Sequence, residues 1–279
     1  METESSQLPV LESQIIKENT IYAEPVAHIG SFTITNSLIN SWLVVFLIVV
    51  FALIFKTKIK SIPTGIQNAV EAIYDYLLDL FNSVTGSLEK STKFFPFIFA
   101  FFIFILLNNW LGLLPGIGSI GQVVNEHGEK VFIPFFRGAT ADLNTTLALA
   151  IIGVVASHIF GVISIGIWNH FNKFINLKTI AEIPKKVMKE PMVLLINPIN
   201  VFVGLVEIVS EIAKVVSLSF RLFGNVFAGE VLLASMSAIL AFGLPLPFMF
   251  LEVLVGLVQA IVFTLLVLSY LTMMSHSEH

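Results

Sequence analysis

The 279-residue sequence has no cysteine, which excludes disulfides and thiolate metal sites. Charge is scarce as well. Asp, Glu, Lys and Arg make up 12% of the chain, against roughly 25% in soluble domains. Apolar residues fill the difference, at 56%, and the mean hydropathy is +0.90. That is the composition of an integral membrane protein. No basic patch interleaved with aromatics occurs, so nucleic acid is not an expected partner. No G-x-x-x-x-G-K-[ST] loop occurs either, so the chain is not expected to bind and hydrolyse a nucleotide itself, and no cofactor or metal is expected. Residues 1–37 are polar and mixed, without the basic start, short apolar core and small-residue cleavage site of a signal peptide. No internal repeat is found. The run GIGSIG (Gly116, Gly118, Gly121) matches a dinucleotide-binding pattern in its letters. It follows a membrane segment rather than a strand, and reads as a flexible loop.

What is present is a series of long apolar runs. The first span is 38–55, long enough to cross a bilayer. From 63 to 81 the pattern is amphipathic (Ile66, Val70, Ile73, Leu77, Phe81), predicting a helix lying on the membrane surface or packed against the spans. Spans two and three are 94–114 and 142–168. After Pro198 a helical pattern runs from 199 to 242, roughly twice as long as a 30 Å hydrocarbon core requires. It is expected either to tilt strongly or to break near Gly224 and Gly229. Gly243, Pro245 and Pro247 form a turn, and a last span, 248–274, returns. The expected fold is all-α: about five membrane-embedded helices and one amphipathic surface helix, with the last two long helices forming a tilted hairpin. The chain divides into an N-terminal segment, 1–37, and a single membrane domain, 38–279.

Lysine and arginine flank the first three spans unevenly, with one before the first, five between Lys56 and Lys93, two at 130–137 and five from Lys173 to Lys189. The positive-inside rule then places the N-terminus outside and the C-terminus in the cytoplasm.

The most informative stretch is Glu207–Glu230. At about 100° per residue, Glu207, Ser210, Glu211, Lys214, Ser217, Arg221 and Asn225 share a stripe roughly 120° wide. Each ionisable group at mid-span costs on the order of 2.5–3.5 kcal/mol, so such a stripe should face water, protein or a moving charge. The expected topology puts Glu207 and Ser210 toward the cytoplasm, Arg221 near the middle and Glu230 toward the outside. In the last span, Glu252, Gly256 and Gln259 share a face. One antiparallel register would set Arg221 beside Gln259 and Glu230 beside Glu252. Asp142 and Asn144 stand at the outer mouth of span three. Two groups of acids therefore lie on opposite sides of one arginine, which does not usefully deprotonate (pKa about 12.5 or higher). It would act as a fixed positive barrier between two proton paths.

Blander readings exist for several of these residues. Lys214 and Glu211 are i, i+3 neighbours that neutralise each other. Asp142 is a potential N-cap. His158, alone on an apolar helix, reads as a packed core histidine.

SLSFRLFGNVFAGE (217–230), with VLVGLVQAIVFTLL (253–266), resembles subunit a of the F-type ATP synthase membrane sector. NNWLGLLPG (108–116), ADLNTTLALA (141–150) and EPVAHIGSFTITNSL (24–38) match as well, the last resembling the bacterial form. The resemblance implies a proton-conducting stator with two half-channels beside a ring of c subunits. It implies b subunits of a peripheral stalk as further partners and the plasma membrane of a bacterium as the location. It assigns Arg221 to the ring carboxylate, with Asn225 and Gln259 as neighbours. Glu207 and Ser210 would line the cytoplasmic half-channel, and Glu230, Glu252, Asp142 and Asn144 the outer one. Glu252 stands where some relatives carry histidine. The ion is expected to be H⁺, with Na⁺ left open by the sequence. The alternative is a self-contained secondary transporter, against which the odd span count and missing repeat argue.

Overall fold

The computed structural model describes residues 21–114, 116–126, 129–170, 193–240 and 243–275. Strands β1 (Pro25–Ile29) and β2 (Phe32–Thr35) form an antiparallel hairpin that leads into helix α1 (Asn36–Lys58). Thr35 caps α1, its hydroxyl accepting from the Leu38 N–H, and Lys56 and Lys58 close the last turn against the helix dipole. Helix α2 (Ile66–Thr85) is the predicted amphipathic segment. It buries Leu77 and Phe81 on α3 (Leu88–Leu113) and leaves Ile66, Ile73 and Tyr76 exposed.

Between α3 and α4 (Leu143–Ile165), the expected flexible loop contains a second antiparallel hairpin, β3 (Gly121–Glu126) and β4 (Glu129–Pro134). Its alternation is too short and polar to stand out between apolar runs. Helix α4 ends where Gly166 takes a positive φ of 83°, short of the expected 168, and residues 167–170 make a further helical turn.

Helix α5 (Val193–Ile239) is continuous over 47 residues, roughly 70 Å at 1.5 Å per residue. It runs through Gly224 and Gly229 without interruption, so of the two expectations the break is corrected. Isolated glycines weaken a helix by only about 1 kcal/mol each, and neighbouring turns packed on α4 and α6 hold the ladder. Helix α6 (Pro245–Met274) begins earlier than expected, because Pro245 lies in its first turn, where the missing N–H has no helical partner to lose.

Four of these helices, α1, α3, α4 and α6, are long and apolar enough to cross a membrane. Helix α6 forms the centre of the bundle, packed on α3, α4 and α5. Ile98 and Ile105 of α3 meet Phe263, Val267, Leu268 and Leu271 of α6, all fully buried. The rings of Phe101 and Phe263 stack with centroids 5.9 Å apart. Helix α1 is more loosely held, and Phe46, Phe51 and Leu53 remain exposed on its outer face.

Candidate functional site

The stripe on α5 divides in two. Ser210, Ser217, Arg221 and Asn225 are exposed on one face, and Val209, Ile212 and Phe220 are exposed elsewhere around the helix. Glu211 and Lys214 turn inward, with side chains 12% and 15% exposed, and pair at 2.6 Å. The i, i+3 neutralisation is therefore present. Glu207 is half-buried one turn before Glu211.

Arg221 projects from the open face of α5. Among the described residues it makes no ion pair, and its guanidinium donates one long hydrogen bond, 3.5 Å, to the Ser217 hydroxyl. Gln259, expected beside it, is instead paired with Asn225, whose amide donates at 2.8 Å. The helices are offset by one turn relative to the expected register, because a count along two sequences fixes a sum of positions and not the rotation of each helix. Gln259 is buried and Asn225 exposed, so the bond joins the bundle interior to the face carrying Arg221.

Glu230 is likewise not bonded to Glu252. Arg137, in the segment before α4, places its Nη2 2.9 Å and its Nε 3.1 Å from Glu230 Oε2. Its third arm donates to the Tyr22 carbonyl at 3.0 Å. The arginine side chain is 4% exposed and the carboxylate 30%, so this pair is largely removed from solvent. Glu252 approaches the backbone of α5 at Gly229, where a Cβ would collide with its carboxyl group. Both acids nevertheless share one cavity of ≈ 440 Å³ between α3, α5 and α6, whose lining also includes Asn109, Ala141, Ser237 and Gly256.

Asn109 anchors that cavity from α3. Its amide donates to the Gly256 carbonyl at 3.0 Å and its oxygen accepts from Thr140 at 2.6 Å. Asp142 and Asn144 lie at the start of α4. Asp142 is buried, accepts from the Asn144 N–H as the N-cap, and accepts from Ser37 at 3.2 Å and Thr145 at 3.1 Å. It does not line the cavity and reads here as the cap that joins α4 to α1. Deeper, the Thr146 and Ser219 hydroxyls lie 3.3 Å apart, and Asn40 donates to Asn108 at 3.2 Å.

Sequence reasoning passed over Arg137 and Asn109. Arg137 reads as an ordinary loop charge, and only the fold brings it onto Glu230 across 93 positions. Asn109 carried a signal, since NN within an apolar run requires buried partners. His158 is corrected too: it is not a lone packed histidine but lies against Glu211 and His170. Among the described residues, no group of three acidic or histidine side chains is arranged to hold a metal ion.

What the described side chains offer is an arginine without an ion pair on an uncovered face, with a mostly apolar cavity that holds two carboxylates toward one end of α5 and an acid–lysine pair toward the other. Comparison with known proteins points to one family. ATP synthase subunit a of Moorella thermoacetica is 28% identical over 253 residues, 91% of this chain and 96% of its own length. ATP synthase subunit a of Syntrophobacter fumaroxidans is 32% identical over 248 residues, 88% of this chain and 87% of its own. The chloroplastic subunit a of Oedogonium cardiacum is 31% identical over 235 residues, covering 84% and 80%. The family described as ATP synthase A chain matches residues 38–272, and the chain belongs to that family.

Proposed function

We propose that this chain conducts protons between two half-channels that meet at Arg221, and that a ring of c subunits covers the open face of α5. The chain is the proton-translocating stator subunit of its complex and makes no ATP itself. The observation that carries the reading is the exposure of Arg221 on a mostly apolar helix, without an ion pair in the described structure. A guanidinium facing lipid costs at least on the order of 2.5–3.5 kcal/mol. A carboxylate arriving on a neighbouring subunit offsets that cost while it is ionised and leaves once it is protonated.

The N-terminal segment, 1–37, lies outside, and residues 38–279 form one membrane domain with its C-terminus in the cytoplasm of a bacterium, in the plasma membrane. Protons enter through the cavity of Glu230 and Glu252, past Asn225 and Gln259, and neutralise the ring carboxylate. After nearly a full turn of the ring, Arg221 favours the ionised carboxylate, and the proton leaves past Ser210 and Glu207. Asp142 and Asn144 support the outer path by fixing the start of α4. The b subunits of a peripheral stalk hold the chain against rotation, with lipid around the remainder.

The test is ATP-driven acidification of inverted vesicles carrying Arg221→Ala, together with ATP hydrolysis by the same membranes. Pumping should vanish while the complex still assembles. Pumping near the wild-type rate would make the arginine structural and the mechanism wrong.

A further inference from the structure

A second group of titratable side chains lies on the other side of Arg221 from the cavity. It begins at Glu211, ten residues before Arg221 on α5. One carboxylate oxygen, Oε1, is 2.6 Å from Lys214 Nζ, and the other, Oε2, is 3.4 Å from His158 Nε2 on α4. The second nitrogen of His158, Nδ1, is 3.2 Å from Nε2 of His170. Lys214 also sits 5.0 Å from the centre of the Tyr270 ring on α6. The groups form a file with His158 between an acid and a second imidazole.

The far end of the file is built rather than incidental. His170 is 3% exposed and its ring fills a niche that exists because residue 161 is glycine. A Cβ there would lie 2.9 Å from two atoms of the ring and 3.0 Å from the Met274 carbonyl oxygen. Gly166, with φ 83°, turns the chain so that His170 folds back onto α4, and the His170 N–H donates to the Gly166 carbonyl at 3.1 Å.

We propose that His158 is a proton-transfer residue of the inner half-channel, passing protons between Glu211 and His170. This rests on the reading that the Glu207 side of Arg221 opens to the cytoplasm. A neutral imidazole has one donor and one acceptor nitrogen, and here the two face different groups. A protonated Glu211 gives its proton to Nε2, leaving a carboxylate beside Lys214. The imidazolium gives its Nδ1 proton to Nε2 of His170 and becomes the other neutral tautomer. His158 gains one proton and loses one, the transferred proton ends on Nε2 of His170, and only O–H and N–H bonds change. The side chain is 28% exposed, so exchange with water resets the tautomer. Lys214 holds Oε1 of Glu211 and so keeps Oε2 turned toward His158.

The experiment uses the intact complex in inverted vesicles, comparing His158→Ala, His158→Gln and Arg221→Ala for assembly, ATP hydrolysis and acidification, with and without added imidazole. His158→Ala and His158→Gln should assemble yet pump roughly 10²-fold more slowly, the lower end of what a positioned proton donor contributes. Imidazole should restore part of the pumping in His158→Ala and none in Arg221→Ala. Near-normal pumping by assembled His158→Gln, which keeps a hydrogen-bonding side chain but not the relay, overturns the proposal. So does an assembled His158→Ala that imidazole leaves unchanged. If His158→Ala does not assemble, the Gln variant decides alone. Normal pumping by Arg221→Ala would instead overturn the stator reading, whereas loss in Arg221→Ala with normal His158 variants removes only the relay.

Discussion

The carboxyl group of Glu252 rests on the Cα of Gly229, in a space that any other residue at 229 would occupy with its Cβ. An acid on α6 is thereby pressed against the backbone of α5 one turn beyond Asn225. The glycine that the sequence offered as a helix breaker is a seat for the Glu252 carboxyl group.

Gly229→Ala should therefore displace Glu252 and slow acidification while leaving ATP hydrolysis by the soluble sector intact. The atoms in the way are the far end of a flexible side chain, so the carboxyl group swings aside at little cost in stability. Shortening the acid makes room, so Gly229→Ala with Glu252→Asp should pump faster than Gly229→Ala alone. Additive losses in the double variant would show that the two sites are independent.

The Arg137–Glu230 pair makes a different demand. Arg137→Ala leaves a largely buried carboxylate without its cation, at a cost of about 1–3 kcal/mol. The melting temperature of the purified complex should fall, and pumping with it. Arg137→Lys should recover less than half of the lost pumping, because an ammonium does not reach Glu230 and the Tyr22 carbonyl together as the forked guanidinium does. Full recovery by lysine would reduce the site to a point charge.

For Asn225 and Gln259, alanine at either position removes the single bond between them. Each substitution should destabilise the complex by about 1 kcal/mol, and the pair together by clearly less than the sum. Thermal melts of the four-member mutant cycle read this directly.

Asp142 separates capping from conduction. Asp142→Ala should lower stability by about 1 kcal/mol, whereas Asp142→Ser, also a good cap, should restore most of it. Proton conductance through membranes stripped of the catalytic sector should stay near wild type in Asp142→Ser. A large conductance loss in that stable variant would return Asp142 to the proton path.

The helices were legible because each depends on local pattern: apolar length for α1, α3, α4 and α6, and periodicity for α2. Arg221 was legible for a similar reason, since a charge deep in an apolar stretch is costly wherever the helix packs. The partners were not. Whether Gln259 meets Arg221 or Asn225 depends on helix rotation, which sequence spacing leaves free by about a turn. Arg137 and His158 depend on contacts with distant segments, Glu230 for one and Glu211 for the other, and no local pattern encodes them. The continuity of α5 was undecided because isolated glycines neither forbid a helix nor require a hinge.

That continuity has a mechanical meaning. In the proposed function, a rotor passing Arg221 would exert a sideways load on the element that carries it. A jointed element would flex at its joint and absorb part of each step as heat. Helix α5, unbroken over its 47 residues and braced by α4 and α6, has no such joint, and in the proposed function it would serve as a beam that carries the load to the rest of the stator.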